Sequence, residues 1–219
     1  MQLKKKAALL AVLCLALGLL AGCGGNGTQT QTGGQDDSAS AGAEQGGENL
    51  LSGKHHVEIE VQDYGTISAE LDADAAPITV TNFVKLAREG FYDGLTFHRV
   101  VPGFVLQGGD PEGNGTGGSG ESIKGEFSAN GVENNLSHTR GALSMARAQP
   151  YDSASSQFFI VLDDSAAASL DGSYAAFGYV TEGMEVVDKL CEETPVSDMR
   201  SGLVAAEAQP VITQVTVVD

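Results

Sequence analysis

Phe97-His98-Arg99-Val100-Val101-Pro102-Gly103-Phe104-Val105-Leu106-Gln107-Gly108-Gly109-Asp110 reads as two short strands joined by a tight turn. Val100, Val101, Val105 and Leu106 favour extended backbone, Pro102 pre-sets the turn and Gly103 accepts a positive φ, so the chain folds back on itself here. The hairpin gathers a guanidinium (Arg99), an aromatic face (Phe104) and a primary amide (Gln107) into one patch. Such a patch suits a neutral ligand with one apolar part and one carbonyl. Taken alone, an arginine on a strand is a solvated edge charge and a phenylalanine is core. The patch gains meaning only from what surrounds it.

Upstream, Val57, Ile59 and Val61 alternate over His56 to Asp63, and Ile67, Ala69 and Leu71 alternate over Gly65 to Leu71. With Asp63-Tyr64-Gly65 between them they predict a β-hairpin. Pro77 opens a helix whose apolar positions Val80, Phe83, Val84, Leu86 and Ala87 recur at helical spacing until Gly90. Downstream, strands are predicted at 141–146, 157–162, 175–180 and 211–218, with a second helix over Met184 to Cys191. Many short strands and two helices indicate a mostly β fold, a small barrel or a sandwich.

The stretch Phe97 to Asp110 resembles the signature of the cyclophilins, the peptidyl-prolyl cis-trans isomerases. The resemblance continues in Gly141-Ala142-Leu143-Ser144-Met145-Ala146, in Ser156-Gln157-Phe158-Phe159-Ile160, and in Leu170-Asp171-Gly172 followed by Phe177-Gly178. It covers residues 54–219. It implies a closed eight-stranded antiparallel β-barrel capped by two α-helices, and a reaction that needs no cofactor and no metal. By this resemblance Arg99 donates to the prolyl nitrogen and Gln107 positions the substrate backbone. Phe104, Val105, Met145, Phe159 and Leu170 form the apolar pocket for the proline ring, and Ala146, Arg147 and Gln157 form the rim that binds the residues before proline. Many members carry a histidine soon after Leu-Asp-Gly; Tyr174 stands here, and its hydroxyl can still donate to a carbonyl. Ser169 replaces a tryptophan often found before that leucine, and on that tryptophan the family's macrocyclic inhibitor cyclosporin partly rests. The rival reading is a non-catalytic module that binds proline through the same pocket.

Residues 1–22 are read as a targeting segment and kept out of the fold argument. Lys4, Lys5 and Lys6 precede the apolar run Ala7 to Leu20, and Leu20-Ala21-Gly22-Cys23 resembles a bacterial lipobox in which the sulfur of Cys23 is acylated. Dual acylation anchors a protein stably, so the expected location is the extracytoplasmic face of a cell membrane. Residues 24–53 are rich in Gly, Gln, Ser, Thr and acidic residues and read as a disordered tether. Residues 54–219 then form one domain, expected to act as a monomer on proline-containing polypeptides.

The formal net charge is −17, from 12 basic and 29 acidic residues. That balance excludes nucleic acid and direct adsorption to anionic lipid as the mode of action. Gly113-Asn114-Gly115-Thr116-Gly117-Gly118 fits a dinucleotide-binding pattern, but Ser119-Gly120-Glu121-Ser122 continues as loop where a helix would have to open. Neighbouring residues on a strand point to opposite faces, so His98 turns away from whatever Arg99 touches. His55, His56 and His138 show no metal-ligand spacing, and no G-x-S-x-G frames a serine nucleophile. Cys191, within a predicted helix, reads as an inert thiol.

Overall fold

The computed structural model describes residues 49–219. The segment read as a signal, Cys23 and the tether as far as residue 48 lie outside the described residues. Leu51 and Gly53 are already held to the domain: Leu51 N donates to Thr81 Oγ1 at 2.9 Å and Gly53 N to Asp74 Oδ1 at 2.8 Å.

The first hairpin pairs β1 (Lys54–Val61) with β2 (Gly65–Asp72) through Asp63 and Gly65, both at positive φ. Helix α1 (Pro77–Arg88) starts with its proline, but Ala76 offers no side chain to cap it. The free amides are met from far along the chain. Glu126, buried, accepts from Ile78 N at 3.0 Å, Thr79 N at 2.8 Å and Thr79 Oγ1 at 2.7 Å. A carboxylate at the positive end of a helix satisfies the unpaired donors and the macrodipole together.

The central hairpin is β3 (Thr96–Val101) and β4 (Val105–Asp110), turned at Gly103 with φ +70°. There follow β5 (Ala142–Met145), β6 (Phe158–Val161), the single-turn helix α2 (Ala167–Leu170), β7 (Ala176–Glu182), α3 (Met184–Glu193), β8 (Val196–Asp198), β9 (Leu203–Val204) and β10 (Ile212–Val217). The sheet has ten strands in the order β10-β1-β2-β7-β5-β6-β4-β3-β9-β8, every named pair antiparallel.

This corrects the expected closed eight-stranded barrel with two helices. The fold is mostly β and antiparallel with few helices, but the sheet is open, and a small hairpin, β8 and β9, extends it past β3. Between β3 and β10 there is no ladder, only the bridge Thr96↔Val211 and backbone bonds such as Phe97 N to Pro210 O at 2.9 Å and Ile212 N to Leu95 O at 2.7 Å. Two causes are visible. Pro210 has no N–H to return a bond, and β9 takes the rest of β3's edge at Arg99↔Leu203.

Strand alternation divides the apolar residues into two clusters. Phe158, Ile160, Leu106, Leu143 and Met145 join Phe83, Tyr92, Phe97 and Phe177 in the main core, where Phe83 meets Phe158 edge-on at 5.4 Å. Their strand neighbours Phe159, Val161, Val105 and Ala142 face the other way and form a second cluster with Ala166 and Leu170. A sheet that buries both faces of the same strands needs a second layer. Here the second layer is short loops and one helical turn, and they leave a hollow.

Candidate functional site

Register lines up the polar groups of that hollow. Arg99 pairs with Gln107 across β3 and β4, Gln107 with Phe159 across β4 and β6, and Phe159 with Ser144 across β6 and β5. Directly opposed residues of antiparallel strands share a face, so arginine, amide and aromatic ring stand in one row. The arginine reaches that row because β3 is bulged at His98: Phe97 opposes Gly108 while Arg99 opposes Gln107. The extra residue turns Arg99 outward although Phe97, two positions earlier, faces the core. His98 is itself fully buried, and among the described residues neither ring nitrogen has a hydrogen-bond partner.

The guanidinium is held at two points. Arg99 Nε donates to Ser201 O at 2.7 Å and Nη1 donates to Gln107 Oε1 at 3.0 Å, which leaves Nη2 bonded to no described residue. Half-burial pulls the pKa of Arg99 down from its ordinary value, but an arginine stays charged. Beyond Gln107 the chain of bonds continues: Gln107 Nε2 donates to Gln157 Oε1 at 2.9 Å, and Gln157 Nε2 donates to Gly117 O at 2.8 Å. A guanidinium can only donate and a carbonyl can only accept, so the two ends set the orientation of both amides between them.

Two adjoining hollows flank this row. The first, about 230 Å³, is walled by Phe104, Val105, Phe159, Leu170 and Tyr174 with Arg99 at its edge. The second, about 190 Å³, runs over Gln157, Ser153, Ser155 and the loop Gly115 to Gly117. Gln107, Ala146 and Arg147 border both. Met145 was expected in the apolar wall and is corrected: it is 1 % exposed and packs in the main core, and by alternation its neighbour Ala146 takes the place at the pocket. Arg147 borders the site, yet its guanidinium is turned onto backbone carbonyls of the protein.

The glycine-rich loop winds around Asp110. That carboxylate accepts from Glu112 N, Asn114 N and Gly115 N, and a side chain at Gly117 would collide with it. The loop thereby presents Gly117 O to Gln157. No helix opens directly after this loop, as the dinucleotide pattern would require.

Below the first hollow lies a contact that the sequence does not advertise. His138 Nδ1 lies 2.7 Å from Asp171 Oδ1, His138 Nε2 lies 2.8 Å from Ser144 Oγ, and the ring stacks on Phe159 at 6.1 Å. A carboxylate accepts, so Nδ1 carries the proton and Nε2 receives the serine hydroxyl. The order is that of a hydrolytic triad, but Ser144 and His138 are wholly buried, and no ester or amide reaches them. Their effect is to hold the pocket floor. Elsewhere, burial with the nearby Asp188 pushes the Cys191 thiol up to about 12, far from nucleophilic. Among the described residues no group of three or more His, Cys, Asp and Glu is placed to hold a metal, and no helix is long and apolar enough to cross a membrane.

The profile of the family described as cyclophilin type peptidyl-prolyl cis-trans isomerase/CLD matches residues 56–217. Peptidyl-prolyl cis-trans isomerase B of Bacillus subtilis is 49 % identical over 140 residues, 64 % of this chain and 93 % of that protein. A peptidyl-prolyl cis-trans isomerase of Helicobacter pylori is 49 % identical over 128 residues, 58 % of this chain and 74 % of that protein. Among solved structures, a cyclophilin type isomerase of Cryptosporidium parvum, crystallised in the presence of the dipeptide Ala-Pro, superposes with TM-score 0.64 at 31 % identity, covering 75 % of this chain and 99 % of that one.

Proposed function

The chain belongs to the cyclophilin-type peptidyl-prolyl cis-trans isomerases, and from that premise we propose that Arg99 drives the isomerisation by donating to the prolyl nitrogen of a substrate whose proline ring fills the hollow under Phe104, Phe159 and Tyr174. Rotation about X-Pro is slow because amide resonance opposes it with a barrier of about 18–20 kcal/mol. When the bond is twisted, the nitrogen regains a lone pair. A donor aimed at that lone pair is useful only then, so it stabilises the transition state and not the ground state. The observation that carries this reading is the two-point hold on Arg99 from Ser201 O and Gln107, with Nη2 left over beside an apolar pocket. Gln107, through its remaining amide hydrogen, orients the substrate backbone, while Ala146 and Gln157 border the residues before proline. Proton transfer and covalent intermediates have no part in the scheme.

The clients proposed are exported or cell-surface polypeptides, met by a monomer tethered through acylated Cys23 to the extracytoplasmic face of the membrane. Support for the tether comes from Leu20-Ala21-Gly22-Cys23 behind its basic and apolar segments. Support for the monomer is that large exposed apolar side chains among the described residues are few: Leu50, Tyr151, Met199 and Val218.

NMR exchange spectroscopy on a short X-Pro peptide tests the chemistry. Acceleration of cis-trans exchange by the wild type, lost in Arg99→Ala, is the expected result; peptide binding without acceleration would make the protein a binding module instead.

A further inference from the structure

Arg147 borders both hollows, and the obvious reading gives its charge to the substrate. Its bonds say otherwise. Nε and Nη2 both donate to Ser173 O, at 3.0 and 2.8 Å, while Nη1 donates to Ala148 O at 3.0 Å and to Gln149 O at 3.3 Å. An arginine has five N–H donors, so nearly the whole fork is spent on three backbone carbonyls. The carbon at its centre lies 4.6 Å from the ring centroid of Tyr174, 5.0 Å from that of Tyr151 and 5.2 Å from that of Phe127. No carboxylate is among these partners.

The hydrogen-bonded partners belong to two separate segments. Ser173 and Tyr174 lie just past Leu170, whose carbonyl accepts from both of their amides at 3.0 and 3.1 Å, and Tyr174 meets Phe159 edge-on at 5.8 Å in the first hollow. Ala148 and Gln149 continue from Ala146 toward the second hollow, and Tyr151 stacks edge-on with Phe127 at 5.3 Å. One guanidinium therefore ties the tyrosine wall of the proline pocket to the wall of its neighbour.

We propose that Arg147 is a positioning residue that clamps Tyr174 and the 148–151 segment together, and that it does not read substrate charge. This rests on the isomerase reading above and deepens it: the residues before proline are recognised by neutral hydrogen-bonding groups, with no preference for acidic side chains. Peptides with Glu, Ala or Lys two positions before X-Pro bind the wild type alike. Arg147→Ala raises KM about 10-fold for all of them, the order expected when charge-assisted hydrogen bonds and a cation–π stack are lost, and changes kcat less than about 2-fold. Arg147→Lys restores only part, because an ammonium can stack on Tyr174 but cannot fork onto Ser173 O.

Kinetics on the peptide series, with amide hydrogen exchange on the free protein, decide the matter. The expected exchange result is that the Ser173 and Tyr174 amides of Arg147→Ala lose at least 10-fold protection while amides of β1 and β2 keep theirs. A wild-type preference for the Glu peptide that vanishes in Arg147→Ala would overturn the proposal in favour of direct charge contact, and unchanged exchange at Ser173 and Tyr174 would overturn the clamp. A wild type that binds the peptides without turning them over would defeat the isomerase reading alone, since peptide affinities and exchange still decide the role of Arg147.

Discussion

Arg99 and Gln107 face each other in direct register across β3 and β4, and the guanidinium Nη1 donates to the amide Oε1 at 3.0 Å. Arg99→Ala removes a charge-assisted donor worth roughly 1.5–3 kcal/mol, about 10- to 150-fold in kcat/KM. The head group faces a hollow, so the melting temperature moves little. An Arg99→Ala protein with wild-type kcat/KM would remove the arginine from the mechanism, and the Lys variant tests whether the fork is needed beyond the charge.

Glu126→Ala tests the borrowed helix cap. Two backbone amides and the Thr79 hydroxyl lose their acceptor in a buried place. The expected loss is about 2 kcal/mol, or some 4–8 °C in melting temperature for a domain of this size. Calorimetry measures it, and a variant that melts with the wild type would show that water replaces the carboxylate.

Stability falls on the acid side in two stages. Burial lowers the pKa of His138 below 6.5 although Asp171 opposes it, so between the folded value and 6.5 the unfolded chain binds a proton that the folded protein refuses. Stability therefore rises with pH through that interval and is complete above 6.5. Buried His98 has the same sign. Burial would raise Asp171, but bonds from His138 N, Ser137 Oγ and the His138 ring outweigh it and hold it below 3.8. Its contribution is present above 3.8 and disappears as pH falls through the folded value. Thermal melts at pH 8, 6 and 5 show the first stage as a falling midpoint whose fall is smaller in His138→Asn, with His98 carrying the remainder; a wild-type midpoint equal at pH 8 and 5 contradicts the linkage.

Ser169 predicts weak binding of cyclosporin. It is exposed in α2, its hydroxyl donating to Ala166 O at 3.0 Å, next to Leu170 of the pocket. A missing aromatic wall costs a large ligand about 2 kcal/mol or more, roughly 30-fold in affinity, while a short peptide held by the proline pocket is unaffected. Calorimetric titration of the wild type and Ser169→Trp decides it, and equally tight binding by both would show that the wall is unimportant.

Cys23→Ser tests the anchor. The expected outcome is loss of the acyl mass and movement of the protein out of the membrane fraction; unchanged mass and partitioning would end the lipobox reading.

What could be read from the sequence was whatever depends on neighbours. Pro102-Gly103 determines the turn, the turn determines the register, and the register puts Arg99 opposite Gln107. Features that depend on distant residues stayed hidden. Nothing near His98 announces the bulge that re-aims Arg99. The hold on Arg99 from Ser201 is a backbone carbonyl, which any residue there would supply. His138 and Asp171 are far apart along the chain, as are Glu126 and the helix it caps. Strand alternation, not apolar character, decides that Ala146 reaches the pocket and Met145 does not. The open seam depended on Pro210 withholding one N–H, and on β8 and β9 being paired at all.

That seam has a kinetic consequence. Each strand of a sheet opens at a cost set by the bonds on its edges, and β3 is paired along its length only with β4. Local openings that part the outer edge of β3 cost less than global unfolding. They break the bond from Arg99 Nε to Ser201 O and leave the bond to Gln107 in place. The arginine then swings on a single tether. The hold from Ser201 therefore depends on this edge, so a substitution at Pro210 or Leu203 acts on the guanidinium without touching any wall of the pocket.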